Sequence, residues 1–220
     1  MTQTVVFDVY GTLFDVQSVQ DQCESVFPNK GSEISQVWRE KQLQYMFLHE
    51  LMGHDVQFDD ITERALVYAV NSVGEDLTEE SRRQLMTAYQ QLTLYGETQS
   101  VLTYLREKGY QLAVFSNGTD NMLEGLLNGS GIHGDLDAVL SVDLAGHFKP
   151  TISSYQIVTD QLNVSNEEVL FVSSNGWDIA GAKNAGFQTA WINRTDGPEE
   201  ELGLSLDYQG EDLTILKSIL

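Results

Sequence analysis

A regular alternation of short apolar runs with amphipathic segments across residues 98–193 constrains the fold of this chain most. The apolar runs are short and rich in β-branched residues, which is typical of buried strands. The segments between them repeat apolar residues every three or four positions, as helices do. Because strands that alternate with helices form a mostly parallel sheet covered on both faces, we predict an α/β fold.

We predict that a strand at residues 4–8 opens the chain and belongs to the same sheet. The alternating region then predicts helices at 98–108, 120–128, 152–162 and 177–185, and strands at 111–115, 137–142, 168–173 and 188–193.

The block between residues 15 and 97 differs, because it contains no convincing strand. Its apolar spacing predicts amphipathic helices near 17–27, 33–51, 59–73 and 78–93. We therefore expect a helical cap domain over residues 15–97, inserted after the first strand above the carboxyl edge of the sheet. The α/β core domain would then comprise residues 1–14 and 98–220.

The composition narrows the range of partners. With 12 basic and 33 acidic side chains, the 220-residue chain carries a formal net charge of −21. Nucleic acids and anionic membranes are bound by basic patches, so neither is expected as a partner. An acidic, solubilising surface is the simplest interpretation, and adaptation to salt is a narrower alternative.

Cysteine usage and the absence of targeting patterns predict a cytoplasmic location. Cys23 is the single cysteine, so no intrachain disulfide is possible. The start of the chain has no basic region followed by an apolar run, and no segment approaches the roughly 18 apolar residues that span a bilayer.

Four polar clusters follow predicted strands or the loops just beyond them. They are Asp8 with Tyr10-Gly11-Thr12, Ser116-Asn117-Gly118, Lys149-Pro150, and Ser173-Ser174-Asn175-Gly176-Trp177-Asp178. One such cluster is weak support for a site, because strand-to-loop junctions are commonly polar. Four clusters at successive strand ends of a parallel sheet converge on one crevice, where open α/β sheets bind their ligands.

In this order, the four clusters resemble those of the haloacid dehalogenase superfamily. The motifs D-x-Y-G-T at Asp8 and S-S-N-x-x-D at Ser173 are similar to its metal-free branch, the L-2-haloacid dehalogenases. The segment from Trp38 to Tyr45 resembles the first long cap helix of that branch. The resemblance covers nearly the whole chain and implies a Rossmann-like parallel-sheet core with an inserted helical cap.

The chemistry of the residues agrees with this resemblance. An aspartate displaces halide from carbon by direct attack and forms an ester, which water then hydrolyses. Asp8 must be ionised to attack, and Lys149 is its natural counter-charge. We expect Thr12 to hydrogen-bond Asp8, while Ser173, Asn175 and Asp178 orient and deprotonate the hydrolytic water. A helix-capping role for Asp178 is the competing interpretation.

The resemblance also assigns the groups that would hold the substrate. The departing halide would be bound by Arg39, the amide of Asn117 and the ring edge of Phe58. The alternative for Arg39 is a solvent-facing charge on a helix, and the alternative for Phe58 is ordinary packing in the core of the cap. The carboxylate of the substrate would be bound by Ser116 and by the backbone amides of the turn at Gly11. Further residues assigned to the pocket are the apolar Tyr10, Leu43 and Trp177, and Tyr155, which would support the site.

A Mg²⁺-dependent phosphatase of the same fold is the alternative enzyme. Phosphatases of this superfamily carry an acid two residues after the nucleophile, where this chain has Tyr10, and an acidic pair in the fourth cluster, where it has Ser174 and Asn175. Because Mg²⁺ prefers several hard oxygen ligands, we predict no metal and no cofactor. A non-catalytic binding protein is a third possibility, which the intact Asp8, Lys149 and Asp178 disfavour.

The prediction is therefore a hydrolase that converts short (S)-2-haloalkanoates to (R)-2-hydroxyalkanoates and halide. The resemblance also implies a homodimer. The sequence does not determine the preferred halogen, the chain length or any activity on fluoroacetate.

Overall fold

A computed structural model describes residues 2–220 and shows the predicted α/β architecture. Six parallel strands form the main sheet in the order β5-β4-β1-β6-β7-β8. Their bounds are β1 Thr4–Phe7, β4 Gln111–Ser116, β5 Ala138–Ser141, β6 Val169–Ser173, β7 Gln188–Ile192 and β8 Tyr208–Gly210. Two further strands, β2 Phe14–Asp15 and β3 Thr93–Leu94, form a separate two-stranded sheet.

Helices occupy most of the chain between the strands. Their bounds are α1 Gln17–Val26, α2 Gly31–Met52, α3 Phe58–Ser72, α4 Glu79–Ala88, α5 Thr98–Glu107, α6 Asp120–Ser130, α7 Ile152–Leu162, α8 Gly176–Asn184 and α9 Leu216–Ile219. No helix in residues 2–220 combines the length and apolar character needed to cross a membrane.

The central strands are continuous apolar runs because helices cover both faces of a parallel sheet. Every residue of β1 and β6 is buried. The chain runs outward from β1 through β4 to β5 and then returns to the opposite side of β1 with β6. This reversal makes the carboxyl ends of β1 and β6 the switch point of the sheet, where such folds bind ligands.

The chain divides into two compact units. Among the described residues, the α/β unit comprises 2–14, 94–117 and 130–220, and the helical unit comprises 15–93 and 118–129. The second unit therefore includes most of α6, whereas the domain division expected from the sequence put all of residues 98–220 in the core. That division, with 15–97 as a cap domain, stays a prediction.

Within the helical unit, small residues and helix caps set the helix boundaries. A side chain at Gly31 would overlap the backbone of Glu24, so only glycine allows α2 to start this close to α1. At the other end of α2, Gly53 has a φ of +65°, the left-handed conformation that commonly ends helices. Thr78 caps α4 by accepting a hydrogen bond from the Ser81 amide at 3.1 Å.

Three features differ from the sequence prediction. The block at 15–97 does contain strand residues. They belong to β2 and β3, which pair with each other at the two ends of the block. The helix predicted at 78–93 ends at Ala88, and the chain then turns toward β3. The sequence also predicted no strand at β8, which is a short edge strand with largely exposed residues.

Candidate active site

The register of the sheet brings two of the polar clusters together. Phe7 of β1 pairs with Val172 of β6, so the next residues lie side by side at the switch point, with Asp8 just beyond β1 and Ser173 at the end of β6. The backbone amide of Asp8 extends this pairing by donating to the Val172 carbonyl at 2.9 Å. Asp8 is only 6% exposed, so its carboxylate depends on protein groups for its hydrogen bonds.

The two carboxylate oxygens of Asp8 have different environments. Oδ2 accepts hydrogen bonds from Thr12 Oγ1 at 3.0 Å and Asn175 Nδ2 at 2.9 Å, with Ser173 Oγ more distant at 3.4 Å. Oδ1 accepts from Lys149 Nζ at 3.1 Å. Oδ2 therefore faces neutral donors, while Oδ1 faces the ammonium group.

Lys149 is a buried cation between two carboxylates. Its Nζ lies 3.1 Å from Asp8 Oδ1 and 2.9 Å from Asp178 Oδ2, and the side chain is 1% exposed. The ammonium also lies 4.8 Å and 5.1 Å from the ring centroids of Phe115 and Phe171, which adds cation–π attraction. The arrangement brings the first, third and fourth sequence clusters into one buried ion group.

The pKa values of Lys149 and Asp178 are both raised, although burial and the neighbouring charges act on the two groups in different ways. Burial by itself would lower the pKa of Lys149, but the charges of Asp178 and Asp8 outweigh it and raise that pKa, so the ammonium stays protonated. Burial, assisted by the negative charge of Asp8, raises the pKa of Asp178 to about 6 despite the opposing effect of Lys149. Asp178 is therefore a carboxylate at neutral pH with the basicity of a general base.

Tyr155 lies behind Asp178. Its fully buried side chain donates to Asp178 Oδ1 at 2.6 Å and to the Asp178 carbonyl at 3.0 Å. Burial, followed by the charge of Asp178, raises the pKa of Tyr155 well above its ordinary value, so the phenol remains a donor. These bonds orient the Asp178 carboxylate, and the supporting role of Tyr155 in the reaction stays a prediction.

The turn after β1 packs against the loop after β6. Gly11 has a φ of +82°, and a Cβ there would lie 3.1 Å from Ser174 Oγ, so glycine suits both the conformation and the space. Thr12 Oγ1 also accepts from the Ser174 amide at 2.9 Å. The Tyr10 carbonyl lies 3.4 Å from Asn175 Nδ2. These contacts hold the Thr12 hydroxyl and the Asn175 amide against Asp8.

The second cluster supports Lys149 from the end of β4. Asn117 Oδ1 accepts from the Lys149 backbone amide at 2.9 Å, which leaves the Asn117 NH₂ group as the donor of that side chain. Ser116 and Asn117 are both buried, at 1% and 7% exposure. Trp177, at the start of α8, is partly exposed, whereas Tyr10 is buried.

Three of the predicted site residues belong to the helical unit. Arg39 and Leu43 lie one turn apart on α2 and are both half-buried, and Phe58 is the buried first residue of α3. Arg39 Nη1 donates to Gln42 Oε1 at 2.7 Å within this unit. Their assignment to halide and substrate stays a prediction.

One supporting residue was missed by the sequence analysis. Arg194 follows β7, and its Nη2 donates to the Thr12 carbonyl at 2.9 Å and to Glu97 Oε1 at 2.7 Å. Its guanidinium carbon lies 3.5 Å from the centroid of the Tyr95 ring. Arg194 thus anchors the turn that carries Thr12, and its only signal in the sequence is its position just after a strand.

Comparison with known proteins agrees with this geometry. A family model for haloacid dehalogenase-like hydrolases matches residues 2–186. A haloacetate dehalogenase from Moraxella is 40% identical over 206 residues, covering 94% of this chain and 92% of the relative. The (S)-2-haloacid dehalogenase of Xanthobacter autotrophicus is 44% identical over 194 residues, covering 88% of this chain and 76% of the relative.

Solved structures give the same result. The L-2-haloacid dehalogenase structure from Xanthobacter autotrophicus superimposes with a TM-score of 0.95 at 38% identity, covering 100% of this chain and 98% of that one. A structure of the same enzyme with chloropropionic acid covalently bound gives a TM-score of 0.93, also at 38% identity and covering 100% and 98%. This chain belongs to the haloacid dehalogenase-like hydrolase family.

Proposed function

We propose that this protein hydrolyses short (S)-2-haloalkanoic acids to (R)-2-hydroxyalkanoic acids and halide through an ester on Asp8. The observation that carries the proposal is the buried Asp8 carboxylate at the switch point, with donors from Thr12 and Asn175 on one oxygen and the Lys149 ammonium on the other. Relatives about 40% identical over most of this chain are named (S)-2-haloacid dehalogenases, which supports the same substrate class.

In the first step, Asp8 Oδ1 attacks the carbon that bears the halogen. The Oδ1–carbon bond forms on the face opposite the halogen, so the centre inverts, and the halide leaves with the bonding electron pair. Halide needs no proton to leave, which fits an apolar Tyr10 at the position two residues beyond Asp8. Arg39, Asn117 and Phe58 are the proposed halide contacts, and the carboxylate of the substrate is assigned to Ser116 and the turn amides near Gly11.

In the second step, water attacks the carboxyl carbon of Asp8. Asp178 takes the proton of that water, and negative charge develops on Oδ2, where the donors from Thr12, Asn175 and Ser173 stabilise it. The bond between that carbon and Oδ1 then breaks, and the hydroxy acid leaves with Oδ1 after receiving the proton from Asp178. Asp8 keeps the oxygen of the attacking water, and it becomes a carboxylate again when the second proton of that water passes to solvent.

We also propose that the reaction needs no metal ion. Lys149 already neutralises the facing oxygens of Asp8 and Asp178, at 3.1 Å and 2.9 Å. Among residues 2–220, no three histidine, cysteine or acidic side chains are grouped to hold a metal. Mg²⁺ prefers several oxygen ligands and is repelled by an adjacent ammonium group.

Halide release in excess EDTA tests the proposed reaction. Each enantiomer of 2-chloropropionate is supplied separately, and chloride and lactate are measured. We expect chloride only from the (S)-enantiomer and (R)-lactate as the product. Phosphate release from a phosphoester that requires Mg²⁺ would instead support the phosphatase, and inactivity in both assays would support a binding protein.

Oxygen labelling under single-turnover conditions tests the ester. With enzyme in excess in heavy-oxygen water, we expect the label in the peptide that contains Asp8 and unlabelled lactate. Direct attack by water on the substrate would label the lactate and leave Asp8 unlabelled.

The pKa of Asp178 predicts an acid limb for the hydrolytic step. Asp178 accepts a proton only as a carboxylate, so ester hydrolysis falls as pH drops through its pKa. Esterification removes the Asp8 charge that helps to raise this pKa, so we expect a midpoint at or below about 6. The measurement is the single-turnover decay of the ester between pH 4.5 and 8. Asp178→Asn should accumulate ester, and an acid limb retained in that variant would contradict the assignment.

We propose a homodimer that forms through the helical unit. Helices α2 and α3 expose large apolar side chains, and such exposed patches commonly mark protein–protein interfaces. The exposed fractions are 83% for Leu51, 55% for Met52, 43% for Leu48 and 44% for Tyr68. Light scattering should give twice the 24.6 kDa chain mass, and Leu51→Glu should lower it toward the monomer. Ile152→Glu, which alters an apolar residue 50% exposed on α7, is the matched control. A monomeric mass for the unmodified protein would exclude the dimer.

The charge and the cysteine content of the chain bear on its partners and its location. A small anionic substrate is the expected ligand, and the net charge of −21 disfavours nucleic acid and anionic membranes. We propose a cytoplasmic location, because Cys23 is the single cysteine of the sequence and no intrachain disulfide is possible.

A further inference from the structure

The helical unit contains a line of polar groups that connects Arg39 to the start of α3. Arg39 Nη1 donates to Gln42 Oε1 at 2.7 Å, and Gln42 Nε2 donates to Thr62 Oγ1 at 2.7 Å. The Thr62 hydroxyl donates to the Phe58 carbonyl, again at 2.7 Å. We call these residues, Arg39, Gln42, Thr62 and Phe58, the relay.

The donor directions in the relay have only one solution. A guanidinium has no acceptor, so the oxygen of the Gln42 amide must face Arg39 and its NH₂ group must face Thr62. The Phe58 carbonyl has no donor, so the Thr62 hydroxyl proton must point to it. Gln42 and Thr62 each link two members of the relay in a fixed direction, so a change at either residue alters the whole line.

Packing alone does not explain these two polar residues. Gln42 and Thr62 are 0% exposed, on facing helices α2 and α3, in surroundings that include the fully buried Trp38 and Ile61. Apolar side chains of similar shape would fill this interface without the cost of burying polar groups. The polar pair gives the interface a defined orientation for Arg39 that an apolar pair would lack.

We propose that Gln42 and Thr62 are positioning residues that aim the Arg39 guanidinium at the departing halide and tie it to Phe58. This inference rests on the proposed function, in which Arg39 and Phe58 contact halide. A neutral amide suits the task, because it orients the guanidinium without cancelling the positive charge that the halide needs. A carboxylate at position 42 would orient Arg39 but would also neutralise it.

The test compares leaving groups during ester formation. With enzyme in excess, halide release is followed from 2-chloropropionate and 2-bromopropionate for Gln42→Met and Thr62→Val, which keep the side-chain shape. Chloride is the poorer leaving group and needs more help, so we expect its release to fall about ten- to a hundredfold and bromide release to fall less. Inhibition by added sodium bromide should weaken in both variants.

Two further variants and a control distinguish the orientation of Arg39 from a simple packing role of Gln42 and Thr62. Thr62→Ser keeps the hydroxyl, so its rate of chloride release should be within a few fold of that of the unmodified protein. Gln42→Glu should release chloride slowly, because its carboxylate pairs with Arg39. Gln44→Met alters an exposed glutamine on the same helix and should leave both rates unchanged. The Thr62→Val and Thr62→Ser pair alone decides the question if Gln42→Met does not fold.

The outcomes distinguish the relay from the proposed function. An equal loss with both halogens and unchanged bromide inhibition would overturn the positioning role while leaving the dehalogenase intact. If the unmodified protein releases neither halide, the proposed function fails and the role of the relay fails with it.

Discussion

Asp8→Asn should abolish halide release, with a loss of at least about 10⁴-fold in turnover. The amide is neutral and its oxygen is a poor nucleophile, so the bond from position 8 to carbon does not form. The new NH₂ group would face either the Thr12 and Asn175 donors or the Lys149 ammonium, and it cannot accept a hydrogen bond from them. The measurement is chloride release from (S)-2-chloropropionate, with mass spectrometry of the intact protein after mixing with substrate.

The mass measurement separates the nucleophile from a merely electrostatic Asp8. The unmodified protein should gain the mass of the propionate group during turnover, and Asp8→Asn should gain none. Asp160→Asn, an exposed aspartate on α7, is the matched control and should behave like the unmodified protein. Residual turnover of Asp8→Asn within about tenfold of the unmodified rate would exclude covalent catalysis by this residue.

The fold was predictable where burial leaves a strong pattern. The strands around the switch point are unbroken apolar runs, such as Val169–Val172, because helices cover both faces of the sheet. The two-residue strand β3 and the edge strand β8 lack that pattern, since their residues are largely exposed. Their pairing depends on distant parts of the chain, which periodicity along the sequence does not report.

The α/β part of the site was predictable from strand ends together with the family resemblance. Asp8, Ser173 and Asp178 follow strands that must end at one edge of a parallel sheet, and the structure brings them together around Lys149. Arg194 lies at the same edge but resembles a surface loop charge. Its role depends on its bond to a backbone carbonyl, which no side-chain pattern reveals.

The relay could not be predicted from the sequence either, because it depends on contacts between two helices. Gln42 lies beside charged residues on a helix, where a glutamine is ordinarily a solvent-facing residue. Its partner Thr62 is on another helix, 20 residues further along the chain. Only the packing of α2 against α3 shows that the two side chains are buried and committed to each other.

Lys149→Met should cost about 3–5 kcal/mol of folding free energy at pH 8, because it leaves two buried carboxylates without their cation. It should also slow halide release by about a hundredfold or more, since the attacking oxygen of Asp8 loses the cation that lies beside it. The control is Lys183→Met, which breaks a half-exposed pair with Asp207 and should cost about 1 kcal/mol or less.

The dependence of this loss on pH identifies its cause. Lys149 lowers the pKa of Asp178, so its removal should raise that pKa further above the value of about 3.9 in the unfolded chain. A carboxyl whose folded pKa is raised binds more protons in the folded state, so stability falls as pH rises from about 4 to the new pKa. Urea unfolding should therefore show a smaller penalty for Lys149→Met at pH 5 than at pH 8. A penalty that is the same at both pH values, or no larger than that of Lys183→Met, would mean that lost packing and not lost charge destabilises the variant, and Lys149 would then not be the counter-charge of the site.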